Sequence, residues 1–278
     1  MLMSNAATPT IKLSVRWLPT GRHWRMRSSK WSTSPTFATS LKLRSVDGRR
    51  TATVQSRPAV VQPADSGTRL DMKLNPQDLE NIAHLTLEHY NQHAEEFWKG
   101  TRNHDVNQNI AALLQYIESE PPFKILDFGC GPGRDLRVFS ELGHSAIGLE
   151  GAAQFAAMAR AYSGCEVWQQ DFLKLDLPNN YFDGVFANAA LFHVPSQELS
   201  RVLSELQASL KPGGVLFSSN PRGHNEEGWG GGRYGVYYDL ETWRHYVSAA
   251  GFVELAHYYR PVGLPRERQP WLASVWRR

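Results

Sequence analysis

The stretch Ile125-Leu126-Asp127-Phe128-Gly129-Cys130-Gly131-Pro132-Gly133-Arg134-Asp135 decides the fold. Its apolar half reads as a buried strand, and a helical pattern through Leu136, Val138 and Phe139 follows its glycines. A strand that runs through glycines into a helix is how an α/β sheet brings a ligand against its backbone. Gly129 and Gly131 remove side chains at that approach and tolerate the dihedrals a tight turn requires. The spacing is Gly-x-Gly-x-Gly. A dinucleotide fingerprint would put its third glycine at position 134, which is Arg134. A purely structural turn would use the same glycines, but a strand ending in an acid before them favours a binding loop.

Working outward, strands and helices alternate. Upstream, Asn75 is the expected N-cap and Pro76 the first position of a helix over 76–98. A second helix over 105–118 aligns Ile110, Leu113, Leu114 and Ile117. Downstream, residues 144–150 and 165–171 read as the second and third strands, with a helix over 151–162 between them. Residues 182–190 form the fourth strand and a helix near 196–209 follows. Residues 213–220 form the fifth strand, entered through a Lys-Pro-Gly-Gly turn. A helix near 239–250 and two late strands, 252–260 and 271–278, end the chain. This alternation predicts an α/β, doubly wound, mostly parallel sheet covered on both faces. No internal repeat is visible.

With these elements in order, "ILDFGCGPGRD" resembles the first motif of the class I S-adenosylmethionine-dependent methyltransferases, and the likeness runs from about residue 76 to the C-terminus. It implies a seven-stranded sheet with an antiparallel terminal strand, and S-adenosyl-L-methionine as cofactor. Under it, Asp127, Gly129, Cys130 and Gly131 lie against the methionyl part, although Cys130 also reads as a small packing residue. Glu150, followed by Gly151, matches the acid that grips both ribose hydroxyls; an acceptor-only carboxylate suits a diol. Asp171 and Phe172 fall near adenine, with a plain loop cap as the alternative for Asp171. Asn188 and Ala189 end the fourth strand beside the methionine moiety, while Asp183 opens it and reads as structural. Phe192 and His193 follow where methyl group and acceptor meet; His193 is the candidate general base, or else shapes the pocket.

The later segment "NPRGHNEEGWGGGRYGVYYDLETW" resembles a bacterial small-molecule subgroup related to the tellurite-resistance methyltransferase. Its glycine-rich stretch is expected to form a loop over the site. Arg222, Arg233 and Tyr234 are then candidate acceptor-binding residues, the arginines holding a carboxylate or other oxyanion. The alternative tethers them to Glu226 or Glu227. Tyr90, Phe97, Trp98, Thr101 and Arg102 are candidates to fold over the cofactor, or are ordinary packing.

Composition bounds the partners. The net charge of +3 is split: residues 1–71 hold 12 Lys/Arg against 3 Asp/Glu, which leaves 18 against 24 for residues 72–278. The second part is acidic, so attraction to nucleic acid is not expected of it. No apolar run suits a membrane span, and Cys130 and Cys165 are too few for a disulfide framework or a metal site. Residues 72–278 are expected to be one domain, in the cytoplasm. Residues 1–71, Arg- and Ser-rich with three tryptophans, read either as a mitochondrial or plastid transit segment or as a disordered or wrongly joined extension. The expectation is methyl transfer to a small molecule, with a carboxylate on the acceptor. A nicotinamide-dependent oxidoreductase and a non-catalytic cofactor-binding protein stay open. Oligomeric state has no signature here.

Overall fold

The computed structural model describes residues 73–278; the expectations for residues 1–71, and the start of the domain at 72, fall outside the described residues. The sheet is built from β1 (Lys124–Phe128), β2 (Ser145–Leu149), β3 (Glu166–Trp168), β4 (Phe182–Asn188), β5 (Leu210–Pro221), β8 (Val253–Arg260) and β9 (Trp271–Arg277). Their order is β3-β2-β1-β4-β5-β9-β8. β1 to β5 pair in parallel, and β9 runs antiparallel to both its neighbours, β5 and β8. The expected seven strands and the single antiparallel strand are both present. From β1 the chain moves outward to β3 and then returns to β4 on the other side. That reversal opens a crevice at the carboxyl ends of β1 and β4.

Strand periodicity distributes the core to two faces. Leu126 and Phe128 of β1 join one cluster, which receives Leu199, Val202, Leu203 and Leu206 from α6 (Ser196–Ser209) and Trp243 and Val247 from α7 (Leu240–Ala249). Ile125 points into the other, beside Ile110 and Leu113 of α3 (Asn107–Leu114) and Phe139 of α4 (Arg134–Glu141). The α6 stripe has the i, i+3, i+4, i+7 spacing of a helix laid on a sheet, and burying each such side chain is worth roughly 1.5–3 kcal/mol. Between β2 and β3, α5 (Ala153–Ser163) packs on α4.

Several elements differ from their sequence reading. The helix expected over 76–98 breaks at His93 into α1 (Pro76–Gln92) and α2 (Ala94–Thr101). His93 leaves helical geometry (φ −113°, ψ 19°), and its ring nitrogen approaches the same His89 carbonyl that its amide uses. The Asn75 cap holds, as a capping box with Asp78. The Lys-Pro-Gly-Gly segment lies inside β5, where Leu210 pairs with Phe182 but Val215 with Gly184. The largest difference is the glycine-rich segment after β5, which is a hairpin of β6 (Glu226–Gly230) and β7 (Arg233–Tyr237). Its two-residue loop is Gly231-Gly232, both at positive φ, the chemistry such a loop demands.

Candidate active site

A cavity of about 760 Å³ lies in the crevice, roofed by α1 and α2 and flanked by the β6–β7 hairpin. Its floor is the glycine turn. Gly129 has φ +73°, and a Cβ there would sit 2.6 Å from that of Ala190. Gly133 (φ +91°) caps α4, and a Cβ on it would meet the α5 backbone at Ala159 at 2.8 Å. The first glycine therefore brings β1 against the residues after β4, and the third brings two helices together.

Glu150 closes this end. Its Oε2 accepts from the Gly131 amide (2.9 Å) and its Oε1 from the Ala152 amide (2.8 Å). Burial pushes its carboxyl up to about 7 despite the amides that favour the anion. Each oxygen retains a lone pair, so a diol would add hydrogen bonds and favour the charged form. Gly151 lets Leu87 of α1 pack at the cavity wall. Phe172 stacks on Phe128 (4.2 Å between centroids), while Asp171 spends Oδ1 on the Leu173 amide, the loop-cap reading, yet still lines the cavity. Cys130 lines it too, and burial raises its thiol well above the usual range, leaving it a packing residue.

A buried chain of hydrogen bonds fixes the middle. Tyr258 donates to Asn109, whose amide donates to Asn188, whose amide donates to Asp135. Asp135 holds Arg134 through both oxygens, and Arg134 donates to the Thr101 carbonyl (2.9 Å). Asn188 thus ends β4 in one orientation, followed by Ala189 at φ +60°. Both line the cavity, as do Phe192 and His193 on the 3-10 turn Leu191–His193.

At the far end His193 meets α1 and β7. Its Nδ1 is 2.6 Å from the Tyr234 carbonyl and its Nε2 is 2.7 Å from the Tyr90 hydroxyl. A carbonyl only accepts, so Nδ1 carries the proton and Nε2 accepts from Tyr90. Burial lowers His193 to about 4, so the ring is neutral. Arg233 donates to the same Tyr90 oxygen (3.2 Å), its guanidinium lies over the Tyr90 ring, and its buried Nε has no partner. Glu226 accepts from the His224 amide, and Glu227 is held by Ser196 and Tyr234. The expected tether of Arg233 to either acid is therefore not formed.

Three expected site residues lie elsewhere. Asp127 is buried beneath the turn, outside the cavity lining; burial and Asp135 push its carboxyl well above the ordinary range. Arg222 points away from the cavity and donates to the carbonyls of Gln269 (2.8 Å) and Arg266 (2.7 Å), because β5 ends against that loop. The Tyr234 side chain faces inward and donates to Glu227, since alternation along β7 sends it opposite to Arg233, while its backbone amide donates to the Thr86 hydroxyl. Tyr237 lines the cavity in its stead. From the roof Tyr90, Phe97, Trp98 and Thr101 line it, and Arg102 does not. Arg134, Asp135 and Arg260, not among the expected site residues, line it as well. Among the described residues no group of three His, Cys, Asp or Glu side chains could hold a metal, and no helix is long and apolar enough to cross a membrane.

Comparison with known proteins matches this architecture. Residues 126–218 fit the family described as methyltransferase domain. Sterol 24-C-methyltransferase of Yarrowia lipolytica is 30% identical over 162 residues, 50% of this chain and 42% of that protein. Trans-aconitate 2-methyltransferase of Azoarcus sp. is 31% identical over 116 residues, 41% of this chain and 45% of that protein. The chain spans less than half the length of these relatives. Among solved structures, the Burkholderia thailandensis 1,6-didemethyltoxoflavin-N1-methyltransferase with bound 1,6-didemethyltoxoflavin and S-adenosylhomocysteine aligns at TM-score 0.62 and 19% identity, over 75% of this chain and 92% of that one. An S-adenosylmethionine-dependent methyltransferase from Mesorhizobium loti aligns at TM-score 0.52 and 23% identity, over 60% and 96%. Residues 126–218 thus match a methyltransferase domain, and the described residues carry the fold of the class I S-adenosylmethionine-dependent methyltransferases.

Proposed function

We propose that this chain transfers the methyl group of S-adenosylmethionine to a small cytoplasmic metabolite bearing a carboxylate or other oxyanion, and that residues 72–278 act as one domain. The observation that carries the acceptor is Arg233. It is a guanidinium at the cavity wall, without an ion pair among the described residues and with a buried N–H unspent. A cation so placed is satisfied by an anionic ligand. The Gly129–Gly131 turn and Glu150 fit the methionyl and ribose parts of the cofactor, with Phe172 and Asp171 toward the base. When bound, the cofactor supplies an electrophilic methyl group; the protein aligns the acceptor with it and excludes water.

The relatives' names divide between a sterol and trans-aconitate, an organic acid. Arg233 favours the acid. The Gly232-Arg233-Tyr234 hairpin also supports kinship with the small-molecule subgroup related to the tellurite-resistance methyltransferase. Calorimetry with S-adenosylmethionine, followed by a screen of carboxylate-, thiol- and amine-bearing metabolites and a neutral sterol, tests this reading. Arg233→Lys is expected to weaken use of an acidic acceptor at least tenfold while cofactor affinity stays within about twofold. Equal methylation of a neutral acceptor by both proteins would refute the anion site. Loss of cofactor affinity with acceptor use would make Arg233 a roof tether.

A further inference from the structure

We propose that Tyr90 takes the proton of the acceptor and passes its own to His193, and that the methylated atom is the hydroxyl oxygen of a small hydroxy acid. This deepens the reading above and rests on it. The geometry is a directed chain: the Tyr90 hydroxyl donates to Nε2 of His193, and Nδ1–H of His193 donates to the Tyr234 carbonyl. The imidazole lone pair is therefore spent on Tyr90, so a proton reaches the ring through the phenol, although both groups line the cavity. Arg233 occupies one lone pair of the phenol oxygen and leaves the other for a donor from the acceptor. Tyr90 also borders the cofactor end, its ring 5.3 Å from that of Phe155, which faces Gly131.

The same 3.2 Å contact defines the acceptor. An anion on the unspent side of the Arg233 fork and a proton donor on Tyr90 must lie close together on one small molecule. Charged and titratable groups acting on Tyr90 are Arg233, Glu150 and Tyr237, and Arg233 also acts on His193. A ring held neutral down to about pH 4 takes a proton only from a strong acid. A methylated hydroxyl, as an oxonium, is such an acid. A methylated amine is not, because an ammonium is a far weaker acid than an imidazolium. A carboxylate oxygen has no proton to give and would leave the chain idle.

In the step, a lone pair of the hydroxyl oxygen forms the new carbon–oxygen bond as the methyl–sulfur bond breaks, and that bond's electron pair stays on sulfur. The hydroxyl proton moves to the Tyr90 oxygen and the phenol proton to Nε2 of His193. One positive charge is lost at sulfur and one gained at imidazole, so the charge of the pocket is unchanged. Water that enters when the products leave takes the proton from Nε2 afterwards.

The test uses the full chain, with Tyr90→Phe and His193→Gln, on malate, lactate and 3-hydroxybutyrate against succinate, propionate, butyrate and aspartate. Methyl transfer to the hydroxyl of at least one hydroxy acid is expected, and none to its counterpart without it. Tyr90→Phe should lower kcat about a hundredfold or more, with KM and cofactor affinity within about twofold. Nitrogen NMR should show His193 protonated at Nδ1 in both proteins, with the Nε2 signal displaced when Tyr90 is replaced. Methylation of an amine or a carboxylate, no transfer to any hydroxy acid, an unchanged kcat, or a Tyr90→Phe defect confined to cofactor affinity would each overturn the proposal. Failure of the wild-type chain to bind S-adenosylmethionine would instead sink the methyltransferase reading itself.

Discussion

Around the glycine turn, the floor of the cavity comes from strand ends and the residues directly after them: Gly129 after β1, Glu150 after β2, Asp171 after β3, Asn188 at the end of β4. Around Arg233 the wall is assembled from α1, a 3-10 turn and a hairpin far apart in sequence, joined by Tyr90, His193 and the Tyr234 carbonyl. The first half inherits its geometry from the sheet. The second half holds only while several separately folded pieces stay docked. If the first half holds the cofactor and the second the acceptor, as proposed, the first should fail through its backbone and through the strand-end Glu150, and the second through single side chains brought together by docking.

The largest effect should come from Gly129→Val. A Cβ there meets Ala190 at 2.6 Å on a left-handed backbone, and the added methyls approach Phe172. Loss of stability of about 3 kcal/mol and a more than hundredfold loss of cofactor affinity are expected, from chemical denaturation and calorimetry. A variant that melts normally and still binds would show that the sheet does not dictate this half.

Glu150 gives the next effect. Glu150→Ala should cost about 2 kcal/mol of cofactor binding, more than tenfold in affinity. The same carboxyl makes binding pH-dependent. Its acid form predominates in the free protein below about 7, and diol donors favour the anion, so binding releases a proton there. Affinity should rise as pH increases toward about 7, by up to about tenfold per unit, and level off above it. A flat profile in titrations of the wild type would remove Glu150 from the ribose site.

This division also marks what the sequence could reveal. Gly129, Gly131, Glu150 and Phe172 stand out in the sequence, and the fold brings them to one cavity, because a strand, a turn and a helix occur within a few residues and local spacing encodes local geometry. Tyr234 is different: the glycine-rich stretch expected as a loop is a strand pair, and Gly231-Gly232 between Trp229 and Tyr234 is a two-residue hairpin signal. Once β7 is a strand, alternation exchanges Tyr234 for Tyr237. The contact of Tyr90 with His193 spans 103 residues, and no local pattern announces it. Asp127 shows a different failure. Its position in the motif was plain, but the direction of its side chain, down toward α4, depends on packing.

Arg222 and Arg233 sharpen the comparison at its smallest effect. Both are arginines flanking one glycine-rich segment, and from sequence they are equivalent. In the fold Arg222 spans two carbonyls of the loop before β9 and lies against Tyr259, whereas Arg233 faces the cavity. Lysine at 222 would reach one of those carbonyls but not both, and solvent can satisfy the other, so Arg222→Lys should cost about 1 kcal/mol of stability. Acceptor KM should move less than twofold, against at least tenfold for Arg233→Lys. Thermal melts read the first quantity and steady-state kinetics the second. If Arg222→Lys instead weakens acceptor use as strongly as Arg233→Lys, the loop it ties down shapes the acceptor half. That half would then depend on one more docked piece than the hydrogen bonds around Tyr90 require.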